Sequence, residues 1–147
     1  MQVHLLKEVR ESSETSDLGN VLMKYEPTVL NKIDTSTQFM NRMKEGFYAV
    51  MHSAGGYGRG YIGEHLASAG KTGTSQSFID TNNDGVIDTE TITSTFVGYM
   101  PYDEPKISIM VTSPNSSHPN SDYDFASLVT LRITKNVTNK YVEIYGL

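Results

Sequence analysis

Lys71, Thr72, Gly73 and Thr74 stand in a row inside the stretch SAGKTGTSQSF, and two different chemistries use such a run. A phosphate loop would place the lysine at the start of a helix, behind the pattern G-x-x-x-x-G-K-[ST]. Counting back from Gly70, the position that should be glycine is His65, and the residues after Lys71 are small, hydroxylated and strand-like. The phosphate reading therefore fails on spacing and on context. On a strand, Thr72 and Thr74 are two apart and share one face. Their two hydroxyls and the Lys71 ammonium make a pocket for a carboxylate, held by charge-assisted hydrogen bonds. Gly73 allows another group to approach closely, and a backbone N–H just beyond it can face a developing oxyanion.

A second chemistry is suggested by DTNNDGVID. Asp80, Asn82, Asp84 and Asp88 fall at positions one, three, five and nine of a calcium loop, with Gly85 at six and Val86 at seven. Position twelve is Thr91 rather than a bidentate glutamate, with Glu90 off by one. Two readings stay open: a polar hairpin loop built from Asx turns, or a weak calcium site. No other cofactor is expected. Gly58, Gly60 and Gly63 form a G-x-G-x-x-G that follows a helix signal instead of a strand, so it reads as flexible loop. His4, His52, His65 and His118 have no paired metal spacing and are assigned to solvent or packing. The sequons at Asn115 and Asn136 carry no further expectation.

The elements that must position these residues follow from hydrophobic period. Val3–Val9 reads as a strand, and Glu11–Asn20 as a polar loop. Thr35 and Gln38 fit a capping box opening a helix, whose stripe is Phe39, Met43, Phe47, Val50 and Met51. HSAGG ends it. Lys71–Phe78, Thr91–Met100 and Lys106–Ser113 alternate at strand period, the last two joined by the tight PYDEP connection. SPNSSHPNSDYD reads as a long polar loop. Phe125, Leu128, Val129, Ile133, Tyr141 and Tyr145 then suggest a closing amphipathic helix, weakened by its threonines and valines. The expected fold class is α+β, an antiparallel sheet packed with helices, in a single domain over residues 1–147.

Composition narrows function. The chain carries a net charge of −5 with scattered basic residues, which argues against a nucleic-acid surface. Without cysteine it has no disulfide, thiol nucleophile or cysteine zinc site. No apolar stretch has the length of a membrane span. Met1 leads directly into QVHLLKEVRES, so the start reads as a cut, and a membrane anchor is expected only upstream of it.

AGKTGTSQS, followed by a polar insertion and TSTFVGYMPYDEPKISIMV, resembles the C-terminal part of penicillin-binding proteins, above all the monofunctional class B transpeptidases. VHLLKEV and FMNRMKEGFYAVMH resemble the family's segments before its K-T-G strand, so the likeness covers nearly the whole chain. That resemblance implies the serine β-lactamase-like fold, with motifs S-x-x-K, S-x-N and K-T-G. It implies that Lys71 tunes the field at the nucleophile, that Thr72, Gly73 and Thr74 form the substrate-binding wall, and that the Thr74 N–H is an oxyanion donor. Its implied partners are peptidoglycan stem peptides and β-lactams, at the extracytoplasmic face of a bacterial membrane. Ser68-Ala69-Gly70-Lys71 is the one S-x-x-K in the chain, and Ser113-Pro114-Asn115 mimics S-x-N. Both sit in the wrong place for the family order, so the nucleophile is expected upstream and the chain alone to be inactive. The other function class consistent with these residues is a binding or interaction module that keeps the fold without the chemistry. In the family sheet two further strands flank the last strand here, and without them that edge is expected to pair with another copy or to be covered by a rearranged terminus.

Overall fold

The computed structural model describes residues 2–15, 17–62, 66–118 and 126–147, with the side chains of 126 and 127 left aside. Gly63, His65 and Phe125, named above, lie outside the described residues. The chain divides into two compact units, Met1–Ser36 and Thr37–Leu147.

The first unit is a short antiparallel pair, β1 (Glu8–Arg10) with β2 (Val21–Lys24). The strand expected over Val3–Val9 is thus shorter and later. Val3 and Leu5 are exposed, and Pro27, three residues beyond β2, has no N–H to offer a ladder. Arg10 holds the turn: it bonds Glu8 at 2.7 Å and the Gly19 carbonyl at 3.0 Å.

The second unit contains α1 (Thr37–His52), β3 (Ala69–Ile79), β4 (Thr89–Met100), β5 (Ile107–Ser117) and α2 (Ala126–Tyr145). The three strands form an antiparallel sheet in the order β3-β4-β5. The class expected from sequence, an α+β antiparallel sheet packed with helices, is what the chain adopts. The β5 strand runs past Ser113 into the stretch expected to be loop. Asn115 takes a positive φ of 49° beside a register irregularity. Side chains bridge that fault, with Thr91 donating to Asn115 at 2.7 Å and Ser116 to the Ile92 carbonyl at 3.1 Å.

One face of the sheet is buried. Phe96 and Met100 of β4 meet Leu131 of α2 and Met51 of α1, with Ile107 and Ile109 of β5 at the margin. Each fully buried large side chain contributes about 1.5–3 kcal/mol. The stripe expected on α1 is only half used: Met51 is buried, whereas Phe39 is 72% and Met43 49% exposed. On α2 the expected apolar set is used in part, with Leu128, Val129 and Tyr141 half-buried. Its buried face is Thr130, Leu131, Thr134 and Thr138, while Ile133 and Tyr145 are exposed. The threonines satisfy themselves: Thr134 Oγ1 donates to the Thr130 carbonyl and Thr138 Oγ1 to that of Thr134, each at 2.8 Å. Hydroxyls returned to the i−4 carbonyl let a threonine-rich face pack dry.

Candidate active site

Lys71 is the third residue of β3, so the Gly-Lys-Thr opens no helix. Strand alternation places Thr72 and Thr74 on the same face, opposite Phe96 and Ser94 of β4. Thr72 is half-buried and Thr74 exposed. Lys71 starts from the other face, and its ammonium turns along the strand to donate to the Thr72 carbonyl at 2.6 Å.

β3 is an edge strand, paired with β4 alone among the described residues. Which backbone groups face that edge follows from two bonds. The Ser77 carbonyl accepts from Thr91 Oγ1 at 3.3 Å, and the Ile79 carbonyl accepts the Asp88 N–H at 3.1 Å. Odd-numbered residues therefore turn toward β4. The register with β4 is unbroken, so alternation turns the N–H and C=O of Thr72 and Thr74 outward. The Lys71–Thr72 bond lies on that same open side.

Glycines set the local spacing. A methyl group on Gly70 would stand 2.6 Å from the Phe96 ring and 2.7 Å from the Val97 carbonyl. A Cβ at Gly73 would collide with Thr95 Oγ1. Beside the strand, Gly46, Ala49 and Val50 of α1, Ser53, Gly55, Gly56 and Tyr57 of the following loop, and Lys71 and Thr72 enclose an open groove of about 390 Å³. That loop closes onto the helix through the Gly58 N–H, which donates to the Val50 carbonyl at 2.9 Å. Gly58 and Gly60, the described part of the G-x-G-x-x-G, thus follow α1 and no strand.

The acidic loop turns its carboxylates inward. Asp80 accepts the N–H groups of Asn83 and Gly85 at 2.7 Å, Asn82 at 3.2 Å and Asp84 at 3.3 Å. The Gly85 N–H, with those of its neighbours, holds the Asp80 carboxyl below its ordinary range against a smaller desolvation effect. Asp88 is likewise lowered, by the Thr81 and Thr89 hydroxyls. Asp84 accepts from Asn82 Nδ2 and the Val86 N–H. Among the described residues no three His, Cys, Asp or Glu side chains gather as a metal site.

Two features escaped pattern reading. The Ser68 and Tyr99 hydroxyls are buried without partners among the described residues, and the Tyr99 phenol is pushed up by desolvation. His52, set aside for solvent or packing, lies 2.8 Å from the Ser68 carbonyl. No sequence signal marks a pair sixteen residues apart.

Residues 1–139 match the penicillin binding protein transpeptidase domain, and the chain belongs to that family. It is 34% identical over 149 aligned residues to penicillin-binding protein 2A of Bacillus subtilis, covering 98% of this chain and 20% of that protein. It is 32% identical over 111 residues to penicillin-binding protein 2B of Streptococcus pneumoniae strain D39, covering 73% of this chain and 15% of that one. The solved structure of penicillin-binding protein 2B from S. pneumoniae strain R6 aligns with a TM-score of 0.68 at 25% identity, over 96% of this chain and 21% of that one. The chain thus spans about a fifth or less of the length of these relatives.

Proposed function

We propose that the chain is the C-terminal part of the transpeptidase domain of a class B, monofunctional D,D-transpeptidase, and that β3 is its carboxylate-binding wall. The observation that carries this reading is the threonine pair on an open strand edge, within a family match that spans both compact units. In this reading the Thr72 and Thr74 hydroxyls and the Lys71 ammonium hold the terminal carboxylate of a D-Ala-D-Ala stem peptide. The outward Thr74 N–H is one oxyanion donor. A serine outside these residues attacks the scissile carbonyl, forming an acyl-serine and releasing D-alanine. An amine of a neighbouring stem then takes the acyl group. β-Lactams acylate the same serine. Ser68 does not suit that role, being fully buried where the chain enters β3.

Further support comes from the second face of the sheet. Val97 and Met110, opposite each other in register, are 54% and 71% exposed. In the whole protein the remainder of the domain covers that face, and the site works at the extracytoplasmic surface of the membrane. Among the described residues no helix is long and apolar enough to cross one. In this chain taken by itself, β5 has an edge with no strand partner among the described residues, and we assign to it pairing with a second copy.

The test is labelling with a fluorescent penicillin. The chain alone gives no covalent band. A band that disappears when one of its own serines is replaced contradicts the assignment of the nucleophile to another segment.

A further inference from the structure

Four contacts converge where the chain enters β3. His52 closes α1, and its Nε2 lies 2.8 Å from the carbonyl oxygen of Ser68. A carbonyl only accepts, so Nε2 carries the hydrogen. Tyr48, one turn earlier, stacks on the imidazole with ring centroids 4.2 Å apart and planes inclined by 21°. Tyr102, in the β4–β5 connection, packs on Tyr48 at 4.8 Å, and its N–H donates to the Ala67 carbonyl at 2.7 Å. The two carbonyls immediately before β3 are thus held from two different elements.

The need for such a hold is visible in the backbone. Ala67 has a φ of 41°, in the left-handed region that disfavours a residue with a Cβ. Ser68 is fully buried, so its carbonyl requires a partner. Lys71 follows three residues later on a strand that has a ladder on one side only.

We propose that His52 is a positioning residue for the carboxylate-binding strand: its Nε2–H, braced by Tyr48 and Tyr102, fixes the Ser68 carbonyl and so the place of Lys71, Thr72 and Thr74 along the open edge. This rests on the carboxylate-binding reading of β3. Loss of the bond frees the start of β3 to move relative to α1 while the β4–β5 pairing stays intact.

The experiment uses the ¹⁵N-labelled 147-residue chain as wild type, His52→Leu and His52→Gln, the glutamine amide keeping a donor in place. Amide exchange is read along β3 and β4, and N-acetyl-D-alanyl-D-alanine is titrated by chemical shift. His52→Leu is expected to speed exchange at residues 70–74 and to weaken the peptide about three- to tenfold, as suits one lost hydrogen bond. His52→Gln is expected to restore both, with β5-facing amides of β4 unchanged throughout. Wild-type behaviour of His52→Leu, or a glutamine variant indistinguishable from it when both depart from wild type, overturns the proposal. If the wild type binds no peptide, the carboxylate reading fails, and the exchange data alone decide the role of His52. Should His52→Leu not fold, Tyr48→Leu takes its place: faster exchange at 70–74 supports the brace, and wild-type exchange refutes it.

Discussion

At Gly70 the absence of a side chain is a packing requirement, because the ring of Phe96 and the Val97 carbonyl occupy the space a methyl would need. Phe96 is fully buried and cannot yield easily. Gly70→Ala is expected to destabilise the fold by about 1–3 kcal/mol, the usual range for overpacking. Urea unfolding measures this, and an unchanged midpoint would show that the ring can move aside. Gly73 meets a different obstacle, the rotatable hydroxyl of Thr95. Gly73→Ala should therefore cost less, and Thr95→Ala in the same chain should recover most of the loss. The threonine pair was readable from sequence because strand period alone puts residues two apart on one face. The Lys71 bond to the Thr72 carbonyl was not, since it depends on that carbonyl facing an open edge. His52 was unreadable for a related reason: its partner is a backbone atom, which leaves no mark in residue type.

Among the elements, α2 shows where hydrophobic period misleads. A search for apolar positions picks Ile133 and Tyr145, which are exposed, and passes over three fully or nearly fully buried threonines. The helix is nonetheless formed along Ala126–Tyr145, since the Thr134 and Thr138 hydroxyls each have a carbonyl one turn back and that of Thr130 meets Ser94 Oγ. Two substitutions separate the contributions. Thr134→Val keeps the shape and leaves the Thr130 carbonyl its helical N–H, so a change within about 1 kcal/mol is expected. Leu131→Ala opens a cavity and should cost about 2–5 kcal/mol; equal effects in thermal or urea unfolding would refute this division. The acidic loop makes a pH prediction. The folded Asp80 carboxyl is lowered, so its contribution is complete above the ordinary aspartate range and is lost as pH falls through the lowered folded value. A carboxyl ¹³C titration should find Asp80 titrating below a free aspartate, with the Gly85 amide shift following it; ordinary titration would contradict the hydrogen-bonded loop. Because these carboxylates serve their own backbone, calorimetric addition of calcium is expected to give no saturable heat. The sequence signal here was the right residues at the right spacing, and what it could not convey was the direction in which the oxygens point.

For the whole molecule, the order of strands and helices in the second unit was legible, because three alternating stretches and two helical ones leave few arrangements for an antiparallel sheet. The first unit was less so: its exposed apolar residues gave strand period where, among the described residues, the strand is Glu8–Arg10 alone. Among the described residues the sheet has one buried face and two edge strands with single neighbours, β3 and β5. Pairing through β5 predicts a mass that rises with concentration in sedimentation. Met110→Lys, a charge placed on that edge strand, should return the chain to a monomer; a monomer at all concentrations removes the pairing proposal without touching β3. The central claim concerns the other edge, and it is tested by titrating the ¹⁵N-labelled chain with N-acetyl-D-alanyl-D-alanine and, separately, with its C-terminal amide. Shifts concentrated at Lys71–Thr74, saturating with the free acid and lost with the amide or in Thr74→Val, are the expected result. No response at these residues, or the same response to acid and amide, would mean that this strand does not hold a terminal carboxylate.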